Sequence, residues 1–172
     1  MDGLSLFDKY GYLAKELENI TQVGDVITAA NVFQEANPGC RKIVDRMVAD
    51  NLLPGSRLEG RGHFENFFDQ VNRGRHGLIL MEHYSTVDLP ILCYLLDTEF
   101  ASVDPTLSRR IVSMAGMKLN EENPAIRVWA EGFSRIVIYP SRTLTAISDP
   151  AVLERETARS RTINTAAVRA LD

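Results

Sequence analysis

The sequence is poor in several features that mark particular classes of protein. Only two cysteines, Cys40 and Cys93, occur in its 172 residues, and their separation matches no metal-binding or redox motif. They predict free thiols in a reducing compartment rather than a disulfide-stabilised secreted fold. No run of about 18 apolar residues suggests a membrane-spanning helix, and the N-terminus lacks the apolar stretch of a signal peptide. We therefore expect a cytoplasmic protein whose membrane contact, if it has any, is peripheral.

The sequence also has no excess of basic residues. It contains 19 lysines and arginines against 23 aspartates and glutamates, which gives a net charge of −4. Nucleic-acid-binding proteins usually carry a basic excess, so we expect no nucleic-acid partner. No group of histidines, cysteines and carboxylates has the spacing of metal ligands, so the sequence predicts neither a metal nor another cofactor. Apolar residues make up 45% of the chain, which is typical of a globular protein.

The first 52 or so residues have the periodicity of helices. Apolar residues recur there at three- and four-residue spacing, and Asn37–Gly39 interrupts the pattern before a further helix. Leu53–Ser56, which contains proline and glycine, is a second break. The sequence therefore predicts a helical N-terminal region, residues 1–55, followed by a second domain, residues 56–172.

The second part alternates between short apolar runs and helical stretches. The sequence predicts strands at 77–81, 110–114 and 135–139, and helices at 63–71, 89–96, 123–130 and 150–171. This alternation is typical of an α/β fold. We expect a mixed sheet with flanking helices, preceded by the small helical region.

The turn His83–Asp88 connects the first of these strands to a helix. A histidine can take a proton from a substrate hydroxyl, and an aspartate within hydrogen-bond reach orients the imidazole and stabilises its charged form. Functional sites often lie where strands of an α/β sheet pass into helices. Such a pair needs no protein nucleophile if the substrate's own alcohol attacks. The spacing therefore favours acyl transfer onto an alcohol.

The same spacing also has a purely structural interpretation. Asp88 directly precedes an apolar helix, and aspartate is a preferred N-cap residue. On this interpretation His83 and Asp88 close a turn and cap the helix, while Ser85 and Thr86 shape the turn. A chance occurrence of the spacing is common in a chain of this composition.

The surrounding sequence resembles a known family. GLILMEHYSTVDLPILCYLL, residues 77–96, resembles the His-four-residues-Asp motif of the glycerolipid acyltransferases, and more closely that of the soluble, plastid-type glycerol-3-phosphate acyltransferases. Residues 132–142 are similar to the next motif of that family: a glycine, an apolar strand, a tyrosine and a basic cluster. Residues 148–171 resemble the helix that follows. The resemblance covers residues 63–172 with the motifs in the same order.

The resemblance implies a role for four residues. His83 would be the general base on the 1-hydroxyl of glycerol 3-phosphate, and Asp88 would orient it without taking the proton. Arg142, with Ser141 beside it, would contact the phosphate of the substrate, because a guanidinium suits that anion. The acyl donor would be a thioester of acyl carrier protein or of coenzyme A, and the reaction would be the first step of phospholipid synthesis.

The sequence departs from the family pattern in three places. Glu82 stands before the histidine where relatives often have asparagine. The stretch after the tyrosine carries one positive charge, that of Arg142, where some relatives have a basic pair. The third family motif, rich in proline, glycine and arginine, does not occur before Asp172, so we expect this sequence to be a fragment of a longer chain.

These departures leave two alternatives to glycerol-3-phosphate acyl transfer. One is a non-catalytic protein that keeps an acyltransferase scaffold to bind lipid or a partner. The other is an enzyme of the same class that acylates lysophosphatidate.

Overall fold

A computed structural model describes residues 9–13, 16, 19–21, 26–117 and 124–171. The fold is mixed α/β, which confirms the fold class predicted from the sequence. The strands are β1 (Phe33–Gln34), β2 (Ser113–Gly116) and β3 (Arg135–Ile138). The helices are α1 (Pro38–Asn51), α2 (Arg61–Asn72), α3 (Asp88–Glu99), α4 (Pro124–Glu131), α5 (Ser141–Leu144) and α6 (Pro150–Arg169).

The three strands form one sheet in the order β1-β3-β2. β1 runs antiparallel to β3, and β2 runs parallel to β3 with Ser113 opposite Arg135. Parallel strands require a crossover connection, and the chain between β2 and β3 passes through α4. The carboxyl ends of β2 and β3 therefore lie at the same edge, where β3 continues into Pro140 and α5.

The described chain divides into two compact units. The sheet unit comprises residues 1–47 and 109–172, and the helical unit comprises residues 48–108. The sequence-based division at residues 55 and 56 remains a prediction. Most of the first 25 residues, on which the helical N-terminal region was partly based, lie outside the described residues.

The core of the sheet unit includes residues of the sheet and of α6. α6 begins at Pro150 because Asp149 accepts hydrogen bonds from the backbone N–H groups of Ala151 and Val152, at 2.8 and 3.2 Å. Burying one such apolar side chain completely stabilises the folded state by about 1.5–3 kcal/mol relative to leaving it exposed. The main cluster consists of Ile27, Val32, Met117, Val137, Tyr139 and Ile163.

A second cluster of the sheet unit lies on α1. Ile43 and Met47 of that helix pack with Tyr10 and Leu13, and Trp129 packs against the cluster. α1 begins at Pro38 because Asn37 Oδ1 accepts hydrogen bonds from the N–H groups of Gly39 and Cys40. The break predicted at Asn37–Gly39 is therefore the cap of a helix.

Both cysteines are buried thiols that form no disulfide, in agreement with the thiols that the sequence predicts. The Cys40 thiol is fully buried and contacts Glu131 Oε2 at 3.7 Å. Burial, and then the charge of Glu131, raises the pKa of Cys40 to about 12. The thiol is therefore neutral at physiological pH and is not a nucleophile.

The core of the helical unit includes a cluster of aromatic rings. Phe100, which ends α3, is fully buried. Its ring meets that of Phe64 of α2 edge to face at a centroid distance of 6.1 Å. The guanidinium of Arg61 lies 4.8 Å from the centroid of the Phe100 ring and donates a hydrogen bond to the carbonyl of Glu99 at 3.2 Å. These contacts join α2 to the end of α3.

The predicted strand at 77–81 is wrong. The segment has no regular secondary structure, and its side chains are exposed, with Leu78 at 75% and Leu80 at 85%. Gly77 lies so close to α2 that an added Cβ would come within 2.5 Å of Phe67 Cζ. An apolar run becomes a strand only when a neighbouring strand supplies hydrogen bonds. Within the described chain, no strand is paired with this segment.

The remaining strands and helices differ less from the predicted ones. β3 and the four longer helices of the second part are confirmed to within a few residues. The strand predicted at 110–114 occurs as β2, shifted toward the C-terminus, because Leu107–Arg110 forms a 3-10 helix. β1 interrupts the region predicted to be helical. Among the described helices, none is long and apolar enough to cross a membrane.

Candidate functional site

The structure brings His83 and Asp88 into direct contact. His83 Nδ1 lies 3.1 Å from Asp88 Oδ2. An ionised carboxylate only accepts hydrogen bonds, so Nδ1 carries the proton and donates a hydrogen bond to Asp88. This tautomer leaves the Nε2 lone pair of a neutral ring available to accept a proton from another molecule. Nε2 has no hydrogen-bond partner among the described residues.

The turn itself holds the Asp88 carboxylate in place. Besides the bond from His83, Asp88 Oδ2 accepts hydrogen bonds from the backbone N–H groups of Tyr84 and Ser85, at 2.7 and 2.8 Å. The bond from Ser85 is the main reason that the pKa of Asp88 lies below its ordinary value of 3.8, and partial desolvation opposes the shift. Asp88 is therefore ionised throughout the pH range in which a histidine is neutral.

The N-cap interpretation of Asp88 is wrong. Val87 occupies the N-cap position of α3 without a side-chain hydrogen bond, and Asp88 is the first helical residue. Its side chain points back to the preceding turn because the N–H groups of Tyr84 and Ser85 converge there. The hydroxyl of Ser85 accepts a hydrogen bond from the backbone N–H of Val87 at 3.3 Å, so Ser85 shapes the turn as the sequence suggests.

Glu82, at which the sequence departs from the family pattern, interacts with Tyr84. The Tyr84 hydroxyl donates a hydrogen bond to Glu82 Oε2. This bond raises the pKa of Tyr84, so the phenol stays protonated at neutral pH. The neutral phenol solvates the Glu82 carboxylate through this bond and leaves its negative charge in place.

The His83 ring is open to solvent. Its side chain is 73% exposed, whereas that of Asp88 is 20% exposed. Described residues form two surface grooves elsewhere, and neither is lined by His83 or Asp88. The pair therefore has the orientation of an acid–base pair, and its histidine faces solvent.

The structure places Ser141 and Arg142 in the first turn of α5, immediately after β3. Both side chains are exposed, and the Arg142 guanidinium has no acidic partner among the described residues. These two residues belong to the sheet unit, whereas His83 and Asp88 belong to the helical unit. Arg142 lies at the carboxyl end of a parallel strand, which is where ligands of α/β sheets bind.

Asn164 is a positioning residue that sequence reasoning missed. From α6, its Oδ1 accepts a hydrogen bond from the Tyr139 N–H at 2.8 Å, and its Nδ2 donates to the Tyr139 carbonyl at 3.0 Å. Tyr139 also donates its hydroxyl to Glu156 Oε2 at 3.2 Å. These bonds fix the end of β3 and hence the start of the segment that carries Arg142. A buried tyrosine that needs a partner is the signal that could have pointed to them.

The described residues contain no group of three or more histidine, cysteine or carboxylate side chains arranged to hold a metal ion. No protein-family model matches the chain, and no curated protein matches it at significant similarity.

Proposed function

We propose that the protein transfers an acyl group from a thioester to an alcohol, with His83 as general base and Asp88 as the residue that orients it. The observation that carries this proposal is the hydrogen bond between His83 Nδ1 and Asp88 Oδ2. It selects the tautomer whose Nε2 can accept a proton. The resemblance of residues 77–96 and 132–142 to glycerol-3-phosphate acyltransferases makes the 1-hydroxyl of glycerol 3-phosphate the preferred acceptor.

The reaction proceeds in two proton transfers at His83. As the hydroxyl oxygen attacks the thioester carbonyl carbon, Nε2 takes the hydroxyl proton and the ring becomes an imidazolium. The charge on Asp88 stabilises this imidazolium. When the tetrahedral intermediate collapses, the carbon–sulfur bond breaks and Nε2 returns the proton to the leaving thiolate. The ester and a free thiol are the products, and the enzyme is regenerated.

Arg142 supports the proposed acceptor. Its exposed guanidinium, without an acidic partner among the described residues, is suited to a phosphate, which it can bind through two parallel hydrogen bonds. Ser141 adds a hydroxyl beside it. Acyl carrier protein and coenzyme A both remain candidates for the donor. A cytoplasmic location, with any membrane contact peripheral, remains the expectation from the sequence.

Non-catalytic use of the same scaffold is the second candidate. It is favoured by the 73% exposure of the His83 side chain and by the exposed apolar run Leu78–Met81 that leads to it. Contiguous exposed apolar residues often mark a surface that binds another molecule.

An acceptor assay tests the proposal. We expect the purified protein, given a radiolabelled palmitoyl thioester of either carrier, to form 1-acyl glycerol 3-phosphate. The Arg142→Gln variant should raise KM for glycerol 3-phosphate about tenfold with little change in kcat, because it loses a charge-assisted bond made to the bound substrate.

A matched control is Arg155→Gln, which removes another exposed arginine of the sheet unit. Acylation of lysophosphatidate in preference to glycerol 3-phosphate would assign the alternative acceptor. Absence of acyl transfer to either acceptor from either donor would favour the non-catalytic candidate.

A further inference from the structure

An open groove of about 680 Å³ lies in the sheet unit, between α6 and the segment that leads into β1. Ala30, Val32 and Phe33 line one side of it. Arg161, Thr165 and Arg169 line the α6 side, with further small residues between them. Small side chains on the walls allow a polypeptide backbone to approach closely. We call this feature the β1 groove.

The backbone of Phe33 faces outward at this edge. β1 is an edge strand of the described sheet. Val137 N–H donates to the carbonyl of Val32 at 2.8 Å, which makes Val32 and Val137 a hydrogen-bonded pair. Pairs alternate along an antiparallel ladder, so Phe33 and Ile136 form a non-hydrogen-bonded pair. The N–H and C=O of Phe33 therefore point away from β3, and no described residue is bonded to them.

Two arginines of α6 line the same groove. Arg161 and Arg169 have neither an acidic partner nor a hydrogen-bond partner among the residues that the structure describes. They are eight residues apart on α6, which corresponds to about 12 Å along the helix. Carboxylates four residues apart on one face of a strand are separated by about 13 Å. The two spacings match for a strand that runs along α6.

We propose that the β1 groove binds an extended acidic segment of a partner protein, which adds to the sheet as a strand beside β1. The segment pairs its backbone with the N–H and C=O of Phe33, in the manner of strand addition at a sheet edge. Its acidic side chains, on the face toward α6, pair with Arg161 and Arg169. This surface is independent of the His83–Asp88 pair and of the proposed acyl transfer.

The shape and charge of the groove favour this occupant over others. A single small anion leaves the Phe33 backbone unpaired. A bilayer surface is too flat to reach a backbone edge within a groove. The protein as a whole has a net charge of −4, so an affinity for acidic peptides has to come from a local site.

Peptide binding tests the proposal. The probe is a fluorescein-labelled peptide of four Glu-Val repeats, whose strand form places all glutamates on one face. We expect its fluorescence anisotropy to report saturable binding that weakens as salt is added. The variant Arg161→Gln/Arg169→Gln should bind about tenfold more weakly, since it loses two ion pairs. Arg155→Gln is the matched control, because Arg155 lies on α6 outside the groove and is 71% exposed; it should bind like the unmodified protein.

A second measurement tests strand addition itself. The same peptide with methylated backbone nitrogens keeps its charge but cannot donate hydrogen bonds, so it should not bind. In NMR spectra, the unmethylated peptide should shift the Phe33 amide proton and slow its exchange. Equal binding by the double variant, equal binding by the methylated peptide, or an unmoved Phe33 amide would each overturn the proposal. So would arginine-dependent binding to phosphatidylglycerol vesicles without peptide binding.

Discussion

Replacing His83 with alanine should lower kcat for acyl transfer by about 10²–10⁴, because that is the usual contribution of a general base. The acceptor hydroxyl then has no group to take its proton as it attacks the thioester. The fold should be unaffected, since the His83 side chain is 73% exposed. We expect the free energy of unfolding to change by less than about 0.5 kcal/mol. Steady-state rates and urea unfolding measured on the same preparation separate the two effects.

The matched control is His76→Ala. His76 is an exposed histidine that lies in the same irregular segment as His83, but it does not contact a carboxylate among the described residues. This variant should retain the rate of the unmodified protein. Retained activity in the His83→Ala protein, or an equal loss in the His76→Ala protein, would exclude His83 as the base.

Replacing Phe100 with alanine should destabilise the helical unit by about 3–5 kcal/mol, the usual cost of removing a buried phenylalanine. Phe100 has no exposed surface, so its removal leaves a cavity. It also removes the edge-to-face contact with Phe64 and the ring beneath the Arg61 guanidinium. Because α3 begins with Asp88, loss of its packing should also loosen the turn that carries His83.

Far-UV circular dichroism in urea measures this effect. The midpoint should fall sharply for Phe100→Ala. It should barely move for Tyr84→Ala, which removes a ring that is 86% exposed. Trp129 lies in the sheet unit, so its fluorescence follows that unit separately. A midpoint for Phe100→Ala equal to that of Tyr84→Ala would contradict the packing that we describe.

The sequence predicts local features of this fold well and long-range features poorly. The helices were predictable because periodicity, caps and breaks are local signals. Asn37 and Asp149 mark the starts of α1 and α6 through their own side chains. The contact between His83 and Asp88 is local too, since five residues and two backbone N–H groups determine it.

Strand pairing is not a local property, and there the predictions fail. The run at 77–81 has the composition of a buried strand, yet no described strand pairs with it. β1 has only two residues, and it exists because Ile136 and Arg135 of β3 lie opposite it, about a hundred residues later in the chain. The composition of a segment does not predict such a long-range pairing.

The remainder of the candidate site depends on contacts of the same long-range kind. The residues near Tyr139 in the sequence do not indicate that Asn164 of α6 forms hydrogen bonds with the Tyr139 backbone. The exposure of Arg142 likewise follows from the position of α5 after β3, not from its neighbours in the sequence. A sequence motif can therefore suggest which residue types act, but not how they are supported.

The central claim is that His83 and Asp88 act as one unit, and a double-mutant cycle on kcat tests it most directly. Asn at position 88 can still accept hydrogen bonds from Tyr84 and Ser85, so Asp88→Asn removes the charge while keeping the turn. We expect about a 10²-fold loss for Asp88→Asn alone. In the His83→Ala background the same change should have no further effect, because residues that act together are not additive. Losses that multiply in the double variant would contradict the claim.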